Sequence, residues 1–149
     1  MSEPNASRTA EEQRALDFLR GFRAPLRVTV NEPDGHPTIC SLWFVLEGRE
    51  LVCATHRGAH VARRLREDPR CGFELATNEP PYRGVRGHGR AQLGTEGAAQ
   101  VLGQLIDRYL GRRDSRLARW LLGRIEQEVV IRIAIERLTA WDYTDRMTR

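Results

Sequence analysis

The groups in this sequence able to do chemistry are four histidines, three cysteines and a large set of arginines. His36, His56, His60 and His88 are scattered. Only His56 and His60 stand at the i, i+4 spacing that sets two metal ligands on one helix face. Gly58 and an expected strand-to-helix transition fall between them, which breaks that geometry, so no metal site is expected. Cys40, Cys53 and Cys71 are 13 and 18 residues apart and form no C-x-x-C pair. That spacing argues against zinc and thioredoxin-type chemistry, and the apolar, strand-like stretch around each cysteine points to buried thiols in a reducing cytoplasm. All 24 basic residues are arginine, whose planar, permanently charged fork suits phosphate and carboxylate; a GC-rich coding bias accounts for the same usage. Arg108, Arg112, Arg113, Arg116, Arg119 and Arg124 form a basic run that suggests nucleic acid. Asp107, Asp114, Glu126 and Glu128 interrupt it, and no stacking-aromatic motif accompanies it. A solvated face, or a funnel for an anionic ligand, covers the same residues. No nucleophile-base-orienter set and no G-x-S-x-G elbow is present.

The elements that must position these groups follow from pattern. With 149 residues, 40% of them hydrophobic and 30% charged, the chain is sized for one domain with a core that needs no disulfide or metal. No apolar run is long enough to span a bilayer, and residues 1–15 lack the apolar stretch of a secretory signal. Residues 1–8 read as a loose, disordered tail. Thr9 to Glu12 reads as a capping box opening a helix with Ala15, Phe18, Leu19 and Phe22 on one face. Alternation over Leu26 to Asn31 predicts a half-buried strand, and Glu32-Pro33-Asp34-Gly35 a turn. Thr38 to Leu46 is apolar on both faces and is expected to be a central strand. Gly48 turns it into a third strand, Glu50 to Thr55, completing an antiparallel meander. A helix over about Gly58 to Arg66, strands at 71–77 and 82–93, a helix capped by Thr95 and ended by Gly111, and a short helix from Asp114 to about Gly123 come next. Gly84, Gly87 and Gly89 within the strand at 82–93 suggest close backbone approach or a bend. Two strands, 129–136 and 138–143, close the chain. The order predicts an antiparallel barrel-like sheet. No G-x-G-x-x-G follows a strand, which argues against a Rossmann site.

Along that order stand D-G-H-P at 34–37, L-V-C-A-T at 51–55, R-R-L-R-E-D-P-R at 63–70, Y-R-G-V-R-G-H-G-R-A at 82–91 and W-D-Y at 141–143. With them the sequence resembles the pyridoxamine 5'-phosphate oxidase-like family, the flavin-binding split β-barrels. The resemblance implies a mainly β fold, a six- to seven-stranded antiparallel split barrel of the FMN-binding type with flanking helices. It also implies a homodimer with the cofactor at the subunit interface, FMN or the deazaflavin coenzyme F-420 as that cofactor, and hydride transfer involving a small organic substrate. A non-catalytic FMN, deazaflavin or haem-binding protein is the alternative on the same fold.

By the same resemblance, Cys40, Ser41, Leu42 and Trp43 offer backbone groups to the heterocycle; Trp43 either packs on a ring or belongs to the core. The phosphate end falls at Ala54, Thr55, Arg57, His60 and Arg64, where a strand exit and a helix N-terminus favour an anion. The family commonly has an Arg-Lys pair where this chain has His60-Val61, so Arg57, Arg63 or Arg64 is left to supply the charge. The oxidases also place a Gln near the position of Gly84. Tyr82 and Arg83, beside it, are expected to reach a cofactor from the neighbouring subunit, and Trp141 resembles a position near the cleft.

Overall fold

The structure is a computed structural model and describes residues 6–148. Seven strands form one antiparallel sheet flanked by helices. Helix α1 (Ala6–Gly21) precedes β1 (Leu26–Asn31), β2 (Pro37–Leu42), β3 (Val45–Glu47) and β4 (Glu50–His56). Helix α2 (His60–Glu67) leads into β5 (Arg70–Ala76) and β6 (Arg83–Gly94). Helices α3 (Ala98–Leu110) and α4 (Arg116–Gly123) come before the long β7 (Glu128–Asp142) and the short α5 (Thr144–Met147). Among the described residues no helix is long and apolar enough to cross a membrane.

The strand order across the sheet is β2-β1-β5-β6-β7-β4-β3. Its two edge strands, β2 and β3, are consecutive in the chain and joined only by Trp43 and Phe44. Three residue steps, Leu42 to Val45, reach at most about 11 Å. The two edges must therefore lie side by side, and the sheet curls into a barrel split at that seam. Inside it sit Leu26, Val28, Val30, Phe44, Leu51, Cys53, Phe73, Leu75, Val85, Ile131 and Ile133. Helix α1 adds Ala15 and Leu19, and α2 adds Val61 and Leu65. Helix α3 covers the outside of β4 and β7, packing Val101 and Leu105 on Val52 and Val130.

Several expectations are corrected. Of the loose tail over 1–8, residues 1–5 lie outside the described residues and 6–8 are already in α1, so Thr9 stands within the helix and does not cap it. The apolar run 38–46 is not one central strand. It breaks at Trp43-Phe44, and its first half is an edge strand with Ile39 72% exposed. A run apolar on both faces marks two covers, and within one chain β2 has only the inner one. The meander stops after β1 and β2. Gly48, at φ +61, closes a tight hairpin of β3 with β4, and β4 then pairs with β7. The two closing strands are one, because the register against β6 shifts between His88 and Gly89. Arg137 faces His88 and Ile135 faces Gly89, so Glu136 is the extra residue of a bulge. Gly97, in a left-handed conformation, occupies the cap position of α3 in place of Thr95. Helix α4 starts at Arg116, where the Ser115 hydroxyl accepts from the Ala118 N–H at 3.1 Å.

Candidate cofactor cleft

Strands β1 and β2, the end of β4 and the start of α2 enclose a cleft of about 410 Å3. Thr38, Cys40, Ser41, Leu42, Thr55, Ala59 and His60 are among the residues that line it. Two features follow from the elements. Strand β2 pairs on one side only, with β1, so its outer edge presents alternating N–H and C=O groups. Helix α2 has Ala59 at its cap position, no side-chain cap and no acidic residue in its first turn, leaving its early N–H groups able to meet an anion.

The predicted site residues divide into four sets. Cys40, Ser41, Leu42, Thr55 and His60 come together on this cleft. Arg57 stands just past β4, exposed. Its N–H donates to the Gln127 carbonyl at 2.8 Å, and its carbonyl accepts from Arg66. Among the described residues no carboxylate pairs with its guanidinium. Arg64, by contrast, is only 8% exposed. It donates to the Asn31 carbonyl at 2.9 Å and to Glu67 at 2.6 Å.

Trp43 and Ala54 face the other way. Trp43 stacks on Tyr109 of α3, centroids 5.1 Å apart and planes within 5°, and Ala54 joins the same cluster. Of the two readings of Trp43, packing against α3 is the one seen within this chain. Arg83 and Trp141 lie on a separate cavity of about 610 Å3 between α1 and the β6–β7 ends, with Phe18, Phe22 and Asp17. There Arg83 lies over the Phe18 ring at 5.4 Å, and the buried Trp141 Nε1 has no partner. Tyr82 is exposed beside it, its carbonyl accepting from the Tyr143 N–H.

Glu32 and Thr38 are functional candidates that the sequence reading missed. Glu32 reads only as the first residue of a turn, and no spacing ties it to His60, 28 residues on. In the fold its carboxylate meets His60 Nε2 at 2.5 Å and accepts from the Thr38 hydroxyl at 2.9 Å. The His60 contact foremost, then Thr38, holds the Glu32 carboxyl below its ordinary range, so it is an anion at neutral pH. Burial pushes the Cys40 thiol up, keeping it a thiol and a poor nucleophile. The Ser41 hydroxyl accepts from Arg27 on the outer face of the sheet.

The family model for pyridoxamine 5'-phosphate oxidase matches residues 12–142. The chain belongs to the pyridoxamine 5'-phosphate oxidase family. Among solved structures, a conserved hypothetical protein from Mycobacterium tuberculosis is 24% identical with a TM-score of 0.72, over 95% of this chain and 86% of that one. An F420 reductase is 18% identical, TM-score 0.69, over 83% and 94%. The haem storage protein HutZ from Vibrio cholerae is 17% identical, TM-score 0.65, over 86% and 94%. At these identities the structures share the fold. No curated protein matches the sequence.

Proposed function

We infer that this chain is a cytoplasmic flavin- or deazaflavin-dependent oxidoreductase that works as a homodimer, with FMN its cofactor and the deazaflavin coenzyme F-420 the alternative. The observation that carries the reading is the cleft beside β2. An unpaired strand edge suits the alternating donors and acceptors of a flavin's pyrimidine rim, and Arg57 with the open start of α2 suits an anionic tail. The donor set fits such a group: backbone amides for the ring, a free guanidinium and helix N–H groups for the phosphate. When bound, the heterocycle carries the hydride. The chain's part is to hold it flat, exclude water and balance its charge.

Dimerisation is supported by the outer face of the sheet. Arg27, Thr29, Ile39, Arg86 and Arg137 line an open hollow of about 900 Å3 there, on the face turned away from the core. In a symmetric pair, Tyr82, Arg83 and Trp141 are the residues we assign to the partner's cleft.

The test is titration of the purified chain with FMN and with the deazaflavin, followed by absorbance and fluorescence. Binding of one at micromolar concentration, with turnover of the bound cofactor by an organic acceptor, is expected. Binding of neither overturns the reading. Bound reduced cofactor that persists with every acceptor, or haem retained in preference to both, replaces it with a carrier or haem-binding role on the same fold.

A further inference from the structure

The basic run from Arg108 to Arg124 is absorbed neither by the cleft nor by the hollow on the sheet, and the structure divides it. Arg108 donates to the Leu19, Arg20 and Phe22 carbonyls around the end of α1. Arg112 and Arg113 pair with Asp114 and Asp107 at 2.6 and 2.9 Å, and Arg124 pairs with the buried Glu128 at 3.1 Å. Arg116 and Arg119 are left, exposed on α4, and among the described residues no carboxylate pairs with either. The run is thus no continuous track of unpaired cations, as a nucleic-acid backbone would use, but a compact patch on one helix.

Helix α4 is the outermost layer on its side of the molecule: α3 lies on β4 and β7, and α4 packs Ala118 onto Leu102 and Ile106 of α3. At about 100° per residue, Arg119, Arg116, Trp120 and Leu117 follow one another round the arc opposite Ala118, and the helix holds no acidic residue. Trp120 is 57% and Leu117 45% exposed. Two large apolar side chains therefore stand side by side in solvent with two guanidinium groups along one flank. The indole is braced where it stands, because the Arg124 guanidinium lies over its ring at 4.3 Å and is itself tied to Glu128. None of these side chains lines the cleft or the hollow, so the patch stands apart from the cofactor reading and from the dimer face.

What covers such a patch must be anionic, since its charge is of one sign, and must take in an indole and an isobutyl group from the ridge of an outermost helix. A bilayer containing anionic lipid does both. Its headgroups meet the guanidinium groups, and its interfacial layer is where an amphipathic indole settles. A nucleic-acid duplex meets the arginines through its phosphates and offers Leu117 nothing. We propose that the outward face of α4 is a peripheral membrane contact, with Trp120 and Leu117 entering the interface of an anionic lipid surface and Arg116 and Arg119 engaging its phosphate headgroups. Contact of this kind lies on the surface and needs no spanning segment.

The experiment mixes the full chain, at low ionic strength, with vesicles of phosphatidylcholine alone or of phosphatidylcholine with phosphatidylglycerol. Co-sedimentation reads binding, and brominated acyl chains quench the fluorescence of an indole that enters the bilayer. Expected is binding to the mixed vesicles and none to phosphatidylcholine alone, with quenching that disappears in Trp120→Phe while Trp43 and Trp141 emit as before. Arg116→Gln and Arg119→Gln each weaken binding about fivefold, the worth of one arginine at an anionic surface. All three positions are exposed, so unchanged urea midpoints show that the variants fold. No binding to the mixed vesicles, equal binding to both kinds, binding unchanged in both arginine variants, or quenching that survives Trp120→Phe overturns the proposal. So does preference for a short DNA duplex competing through the same arginines, which makes the face a nucleic-acid contact instead.

Discussion

Arg57 and Arg64 flank the cleft-lining residues Ala59 and His60 in the chain, yet their situations are opposite. Arg64 is buried and its donors are taken by Asn31 and Glu67, so its charge holds α2 against the turn after β1. Arg57 is exposed, and its backbone is pinned at both N–H and carbonyl, while among the described residues no carboxylate pairs with its fork. A charged hydrogen bond is worth about 1.5–3 kcal/mol, so Arg57→Ala is expected to weaken FMN binding roughly tenfold to hundredfold. Arg116→Ala, an exposed change at the start of α4, is expected to alter it little. Equal effects in a fluorescence titration would remove the phosphate end from this place. Glu32 is illegible at the residue scale because its partner is far away in sequence, and only the folding of α2 onto β1 brings them together.

At the scale of the element, β6 shows what its glycines are for. A Cβ on Gly87 would stand 2.1 Å from the Arg137 carbonyl oxygen and 2.7 Å from the Phe73 ring, and one on Gly89 would stand 2.1 Å from the Ala134 carbonyl oxygen. The strand therefore lies close against β7 on either side of the bulge at Glu136. Such close backbone approach is what three glycines in one strand pattern suggest. Gly94, at the end of the same strand, has open space where a Cβ would go, with no neighbouring atom within 4 Å. Gly87→Ala is expected to lower stability by about 1–3 kcal/mol or more, as overpacking does, whereas Gly94→Ala stays within about 1 kcal/mol. Urea midpoints measure both. Similar losses at the two sites would show that β6 has room against β7 at Gly87.

At the scale of the molecule, the part of the sheet's outer face that α3 leaves uncovered sets the question of assembly. Ile39 is the most exposed large apolar side chain of β2, with Arg27 and Arg137 around the same hollow. Burying an isoleucine contributes about 1.5–3 kcal/mol, counted once for each copy in a symmetric pair. Sedimentation is expected to give a dimer for the natural chain and a folded monomer for Ile39→Asp. An unchanged dimer in the variant would place the interface elsewhere, and a monomeric natural chain would remove the homodimer from the proposal.

Period-two alternation made β1, β6 and most of β7 legible from the sequence, because which face of a strand is apolar is a local property. Order and spacing of short motifs added the family. What the tertiary structure decided was which edges meet: that 38–46 breaks and puts the two free edges side by side, that β4 leaves β2 for β7, and that a one-residue bulge fuses two apparent strands. Those outcomes depend on closing a twisted sheet on itself, and closure is a sum over contacts distant in sequence. The same closure sorted the candidate residues, gathering Cys40, Thr55 and His60 around one cleft, turning Trp43 to the far side, and adding Glu32 from a turn that looked purely structural.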